Sequence, residues 1–171
     1  MESTVNKGEG QVLSLPEPDS AAGKSTGDDQ YPLWLATFLD VYQRLSTDNL
    51  NLLTQVYSDD VRFQDPLHVI EGQKQLIAYF DLLYTNLSEC RFTISEVFSD
   101  GAQAAIYWQM IFVHPKLNGG KAVQVEGHSR LKAKGDRVGY HRDYLDVGAM
   151  LYEHIPVLGR LVKLIKSRAG Q

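Results

Sequence analysis

Near residue 90 the hydropathy pattern of this chain turns from mainly helical spacing to a run of four segments of period two, and that change limits the folds open to it. Before it, apolar residues recur every three or four positions, as on one face of a helix. Trp34, Leu35, Phe38, Leu39, Val41, Tyr42 and Leu45 form one such stripe, with Pro32 suited to the helix start. Ile77, Phe80, Leu83, Tyr84 and Leu87 form another, on a helix beginning near Gly72. Between them "STDNLNLLTQVYSDD" reads as a turn, a short helix capped near Asp48 and an exit through Ser58, Asp59 and Asp60, followed by a strand "VRFQDP". After residue 90 the period is two. "RFTISEVFS", "QAAIYWQMIFVH", "KAVQVEGHSRLKA" and "RVGYHRDYLDV" read as strands joined by "DG", "LNGG" and "KGD", turn chemistry that suits antiparallel hairpins. Helices followed by an antiparallel sheet predict an α+β fold.

With 171 residues, 43% of them hydrophobic and 22% charged, the chain has the composition of one globular domain with a tail. Residues 1–30 are rich in Gly, Ser, Asp, Glu and Pro and cannot offset the entropy of ordering, so a disordered tail is expected there. Its "PDSAAGKST" lacks the first glycine of a phosphate-binding loop, which is Pro18 here, and no nucleotide cofactor is expected. A net charge of -4 argues against nucleic acid as a partner, because phosphate binding needs a concentrated basic face. Cys90 is the sole cysteine, which excludes an internal disulfide and an all-cysteine metal site and fits a reducing compartment. With no apolar run of the roughly 18 residues that span a bilayer and no signal-like N-terminus, a cytoplasmic location is expected.

Alternation along the strands assigns side chains to faces. In "VRFQD", Val61, Phe63 and Asp65 share one face, so Asp65 ends an apolar, inward row. Such an acid must be hydrogen-bonded, paired or protonated. Yet Asp before Pro66 is also ordinary turn chemistry, and the alternation alone leaves both roles open. Ile106, Trp108, Met110 and Phe112 form a large apolar face that suits a pocket wall or plain core. The strand "VGYHRDYLD" places Gly139, His141, Asp143 and Leu145 on one face and Val138, Tyr140, Arg142, Tyr144 and Asp146 on the other. A histidine beside a carboxylate is a candidate proton-transfer pair, because the carboxylate fixes the imidazole tautomer. A His with two carboxylates also resembles a metal triad, but its members come from distant segments and no metal is expected.

The element order, with "YSDDVRFQDP" and "EG" before the third helix, resembles the nuclear-transport-factor-2-like superfamily, and within it the SnoaL-like and ketosteroid-isomerase-like branch, over residues 31–148. The resemblance implies a curved antiparallel sheet wrapped into a cone around three N-terminal helices, a pocket at the open end, and dimers. In the ketosteroid isomerases a carboxylate removes a proton beside a carbonyl while a tyrosine and a protonated acid hold the enolate oxygen. Their base lies in an E-D-P motif that aligns on Gln64, Asp65 and Pro66, so Asp65 inherits the base position. The tyrosine falls on Val41, one residue or about 100° of helix from Tyr42. The acid donor falls on Gly127, and with that donor missing, steroid isomerisation is not expected.

These readings give a candidate site of Asp65, His141, Asp143 and Tyr42, and a pocket wall drawn from Trp34 and Phe38 on the first helix, Phe63, Gly127, and Trp108, Met110 and Phe112 on the sheet. A small hydrophobic ligand and cofactor-free isomerisation, cyclisation or hydration are expected, with a non-catalytic binding or dimeric assembly module as the alternative. Residues 149–171 lie beyond the cone. There Ile155, Leu158, Leu161, Val162 and Ile165 make a stripe on a helix starting at Pro156, with Arg160, Lys163, Lys166 and Arg168 around it. Such a basic amphipathic helix can pack on the domain, pair in a homodimer, or touch a membrane surface weakly through residues 155–168.

Overall fold

A computed structural model describes residues 31–46 and 48–169; the expected tail of residues 1–30 lies outside them. Helix α1 (Leu33–Arg44) buries Trp34, Leu35, Phe38, Val41 and Tyr42, the i, i+1, i+4, i+7, i+8 stripe of its sequence. A 3-10 turn (Leu50–Leu52) and the one-turn α2 (Leu53–Val56) lead into strand β1 (Tyr57–Gln64), paired with the short β2 (Val69–Glu71). Helix α3 (Gln73–Thr85) follows, then β3 (Glu89–Ser99), β4 (Gln103–Val113), β5 (Val123–Lys134) and β6 (Arg137–Leu145).

The six strands form one sheet in the order β2-β1-β6-β5-β4-β3. Helix α1 packs on both β3 and β6, which are separated in that sheet by β5 and β4, so the sheet must curve around it. Extra residues in β3 at Ser95 and in β6 at Gly139 interrupt the ladders, and bulges of this kind increase twist and bend. The result is the predicted α+β cone. Its core joins Leu35, Val41, Leu53, Val61, Leu76 and Leu131, each fully buried. Every such side chain contributes about 1.5–3 kcal/mol by leaving water.

The structure corrects the expected outline at several points. Strand β1 begins at Tyr57, not after a turn at Ser58 to Asp60, and Tyr57 is fully buried. Residues 69–71 form a strand rather than the approach to a helix. The pairing of β1 with β6 is parallel, setting Phe63 beside His141. Val138 faces the core together with His141, because the bulge at Gly139 inserts one residue between them and reverses the alternation. Beyond β6 the chain forms a short helix α4 (Val147–Met150) and a 3-10 turn (Tyr152–His154); helix α5 (Leu158–Ala169) starts two residues later than Pro156.

Candidate functional site

A cavity of about 340 Å³ opens between α3 and the sheet, lined by Phe63, Phe80, Phe92, Trp108, Met110 and Phe112 among other apolar side chains. Asp65 and Asp143 both border it. The two acids have different surroundings.

Asp65 lies just past the end of β1. Its Oδ1 accepts the backbone N–H groups of Leu67 (2.7 Å) and His68 (2.6 Å), closing the turn through Pro66. The other oxygen accepts the hydroxyl of Tyr79 from α3. Tyr79 also lies 3.1 Å from His68 Nδ1. Burial, with the charge of Asp65 beside it, holds the Tyr79 phenol well above its ordinary pKa and keeps it a donor. One oxygen of Asp65 therefore serves the turn while the side chain still reaches the cavity wall.

Asp143 anchors a longer arrangement. His141, from the same strand face, places Nε2 2.7 Å from Asp143 Oδ1, and Ser129 Oγ on β5 reaches that oxygen at 2.5 Å. Trp108 Nε1 donates to Ser129 Oγ at 2.8 Å. On the far side of the imidazole, His141 Nδ1 is 2.6 Å from the hydroxyl of Tyr57, which bonds the hydroxyl of Tyr42. An ionised Asp143 only accepts, so His141 Nε2 carries a proton, and a neutral imidazole then accepts from Tyr57 at Nδ1. Tyr57 in turn accepts from Tyr42. Donors thus run from Tyr42 at one end and Trp108 at the other and converge on Asp143 Oδ1. No other donor among the described residues reaches Asp143 Oδ2.

This chain is dry on the side away from the cavity. His141 is 1% exposed; Phe38 stacks on Tyr42 at 4.1 Å between ring centres and meets His141 edge-on at 5.6 Å. Burial, strengthened by the neighbouring phenol and by Asp143, pushes Tyr42 well above its ordinary pKa, and burial does the same to Tyr57. Both stay protonated.

Of the expected pocket residues, Phe63, Trp108, Met110 and Phe112 line the cavity, whereas Trp34, Phe38 and Gly127 do not. Trp34 donates Nε1 to Gly101 O at 2.9 Å and fastens α1 to the β3–β4 turn. Phe38 covers the buried chain. Gly127, opposite Trp108 on β5, makes room for the indole: a Cβ there would lie 2.5 Å from Trp108 Cη2. Tyr42 and His141 stand behind Asp143 and do not border the cavity. His114, just past the end of β4, also reaches the cavity lining.

Sequence reasoning passed over Tyr57, Ser129, Tyr79 and Tyr84. Tyr57 continues the alternation of Val61 and Phe63 backwards, and Ser129 lies between Gly127 and Leu131 on one face, so both carried a period-two signal. Tyr79 falls beside the apolar stripe of α3 and carried none. Tyr84 borders the cavity with a buried hydroxyl that finds no hydrogen-bond partner among the described residues. The Cys90 thiol lies near it without completing a bond, and burial above all keeps the phenol protonated. Among the described residues no three His, Cys, Asp or Glu side chains are grouped to hold a metal.

The profile of the SnoaL-like domain matches residues 38–141. Among solved structures, one assigned as a SnoaL-like polyketide cyclase from Jannaschia sp. CCS1 superposes with a TM-score of 0.64 at 15% identity, covering 73% of this chain and 95% of that one. A hypothetical protein with a ketosteroid isomerase-like fold from Catenulispora acidiphila DSM 44928, in complex with trimethylamine, gives 0.60 at 14% identity, covering 71% and 91%. An LEH-like epoxide hydrolase from M. tuberculosis gives 0.56 at 18%, covering 70% and 80%. At these identities the likeness is one of fold. A comparison with curated proteins finds no match.

Proposed function

The chain belongs to the SnoaL-like domain family, and from that premise we propose that its cavity binds a small apolar molecule bearing a carbonyl group and moves a proton on it without a cofactor. The observation that carries this reading is the environment of Asp143. One oxygen is fixed by His141 and Ser129, and the carboxylate borders a mainly apolar cavity. A carboxylate held in place beside an apolar cavity wall is a competent base.

Asp143 takes a proton from the carbon beside the carbonyl and becomes a carboxylic acid; the C–H electron pair passes to the carbonyl oxygen as an enolate. Tyr84, whose hydroxyl has no partner among the described residues, donates to that oxygen. The acid then returns the proton to a different carbon of the conjugated enolate, the electron pair on oxygen re-forms the carbonyl, and the isomer results. His141 acts through Asp143 and is a positioning residue. Asp65, tied into its turn and to Tyr79, orients the polar end of the ligand.

Deuterium exchange tests this. Protein carrying its co-purified ligand is held in heavy water, and the extracted ligand is weighed by mass spectrometry. Wild type incorporates deuterium, and Asp143→Asn keeps the ligand but not the exchange. A protein that yields no small apolar molecule, or equal exchange in Asp143→Asn, sinks the reading.

A second reading, assembly through the sheet, is favoured by its outer face. Phe98 and Tyr107 are exposed there, His128 stacks between Tyr107 (5.4 Å) and Tyr144 (4.7 Å), and Arg142 lies 4.7 Å over the Tyr144 ring. An exposed aromatic row of this kind is suited to a protein interface, and pairing of two copies through it supports this reading. Light scattering of Tyr107→Lys checks it: a monomer replaces a dimer, and an unchanged mass rejects the role.

A further inference from the structure

Helix α5 is fastened to the domain by its small and charged side, and its apolar side is bare. Gly159 is its buried residue, set so closely that a Cβ would lie 2.2 Å from the Glu153 carbonyl oxygen. Lys166, on the same side, reaches Glu153 Oε1 at 2.5 Å and Asp146 Oδ2 at 3.2 Å. These contacts fix which way the helix faces. Leu161, Leu164 and Ile165 are then 53%, 47% and 57% exposed, and Val157 just before the helix is 77% exposed. Ile155 and Val162 turn partly inward, but a helix that packs only for stability buries its whole apolar stripe; this one leaves most of it exposed.

The charges narrow what can cover that stripe. Residues 158–169 carry Arg160, Lys163, Lys166 and Arg168 and no acid, within a chain whose net charge is -4. At about 100° per residue, Leu161, Leu164 and Ile165 span one arc, Arg168 falls within it near the end of the helix, Arg160 borders it beside Leu164, and Lys163 lies further round. A second copy of the helix on this face would bury Arg168 against apolar side chains, with no acid on either helix to pair it. An anionic lipid surface offers both an apolar boundary for the leucines and negative headgroups for the arginines and lysines.

We propose that α5 is an interfacial anchor that lies on an anionic membrane surface through Leu161, Leu164 and Ile165. Among the described residues no helix is long and apolar enough to cross a membrane, and this contact does not require one. It is also independent of the chemistry assigned to the cavity.

The test is sedimentation of the full chain with phosphatidylcholine vesicles, with and without phosphatidylglycerol. Wild type binds the anionic vesicles roughly tenfold or more over the neutral ones, and added salt reverses the gain. Leu161→Glu combined with Ile165→Glu returns binding to the neutral level; both positions are exposed, and circular dichroism confirms the fold. Equal sedimentation on the two vesicles, or no effect of the double substitution, overturns the proposal. So does a dimer that the double substitution dissociates while vesicles bind nothing, which would give the face to a second copy. Retention on an acidic polypeptide with none on vesicles would give it to an acidic protein and overturn the proposal equally.

Discussion

His141 and Asp143 sit two residues apart on β6, face the same way, and meet through Nε2 and Oδ1 at 2.7 Å. That pairing orients the carboxylate and strands the imidazole if the acid is lost. Asp143→Ala removes the acceptor of both His141 and Ser129, and unpaired buried donors cost about 2–3 kcal/mol in sum. Asp143→Asn retains an acceptor oxygen and costs less. Urea unfolding distinguishes them, and equal stabilities would mean that the convergence on Oδ1 holds nothing together.

Tyr57 is the middle member of its chain, bonded to Tyr42 on one side and His141 on the other. Tyr57→Phe leaves two buried polar groups unpaired and is expected to destabilise by about 2 kcal/mol. In Tyr42→Phe combined with Tyr57→Phe only the His141 nitrogen is left without its partner. The double variant should therefore be less destabilised than the sum of the singles. Additivity in a double-mutant cycle would show that the two hydroxyls do not act together.

The legible and illegible parts of this site divide along physical lines. Alternation in β6 placed His141 and Asp143 together because two residues is the strand period, but it put Val138 on the wrong face, since a bulge leaves no mark except a glycine. For Asp65 the inward direction and the turn chemistry pointed to different roles, and the two carboxylate oxygens divide them. Tyr57 was hidden because Ser58, Asp59 and Asp60 carry the composition of a turn, whereas β1 runs through them from Tyr57, which pairs with Val138 on β6, to Arg62, where the pairing resumes. The parallel pairing of β1 with β6 joins segments far apart in the chain. It follows from packing around α1 and α3, which no local pattern encodes.

Tyr84 offers the opposite stability signature from Tyr57. Its hydroxyl has no partner to lose among the described residues, so Tyr84→Phe is expected to leave stability unchanged or raise it by up to about 1 kcal/mol. Ligand retention should fall, because the same hydroxyl is the proposed donor to the ligand oxygen. Thermal unfolding with mass spectrometry of the co-purified molecule reads both. A destabilised variant would mean that Tyr84 is bonded within the protein, and undiminished retention would remove it from the site.

Alkali should unfold the domain in a way that counts buried phenols. Tyr42, Tyr57, Tyr79 and Tyr84 all have folded pKa values raised above the ordinary value of 10.0. Their neutral forms are held in the native state, so this stability is fully present below the unfolded pKa. Above it the unfolded chain has lost protons that the native state keeps, and stability falls as pH rises. The slope is at most about 1.4 kcal/mol per pH unit for each fully buried tyrosine, and less for the half-buried Tyr79. Urea midpoints taken upward from pH 10 should decline, and Tyr42→Phe should lessen the decline. An identical slope in that variant would remove Tyr42 from the group.

Gly159 tests whether α5 is a fixed appendage or a loose one. Its Cα faces the backbone of Glu153 with no space for a methyl group, and the obstacle is main chain that cannot rotate aside. Gly159→Ala must therefore push α5 away from the Tyr152–His154 turn and separate Lys166 from Glu153. The domain core lies elsewhere, around Leu35 and Val61, so global stability should change little although alanine favours helix. Amide exchange is expected to speed up in residues 153–166 and to stay slow in β5 and β6. Protection unchanged throughout would show that the close approach of Gly159 is not what orients the helix.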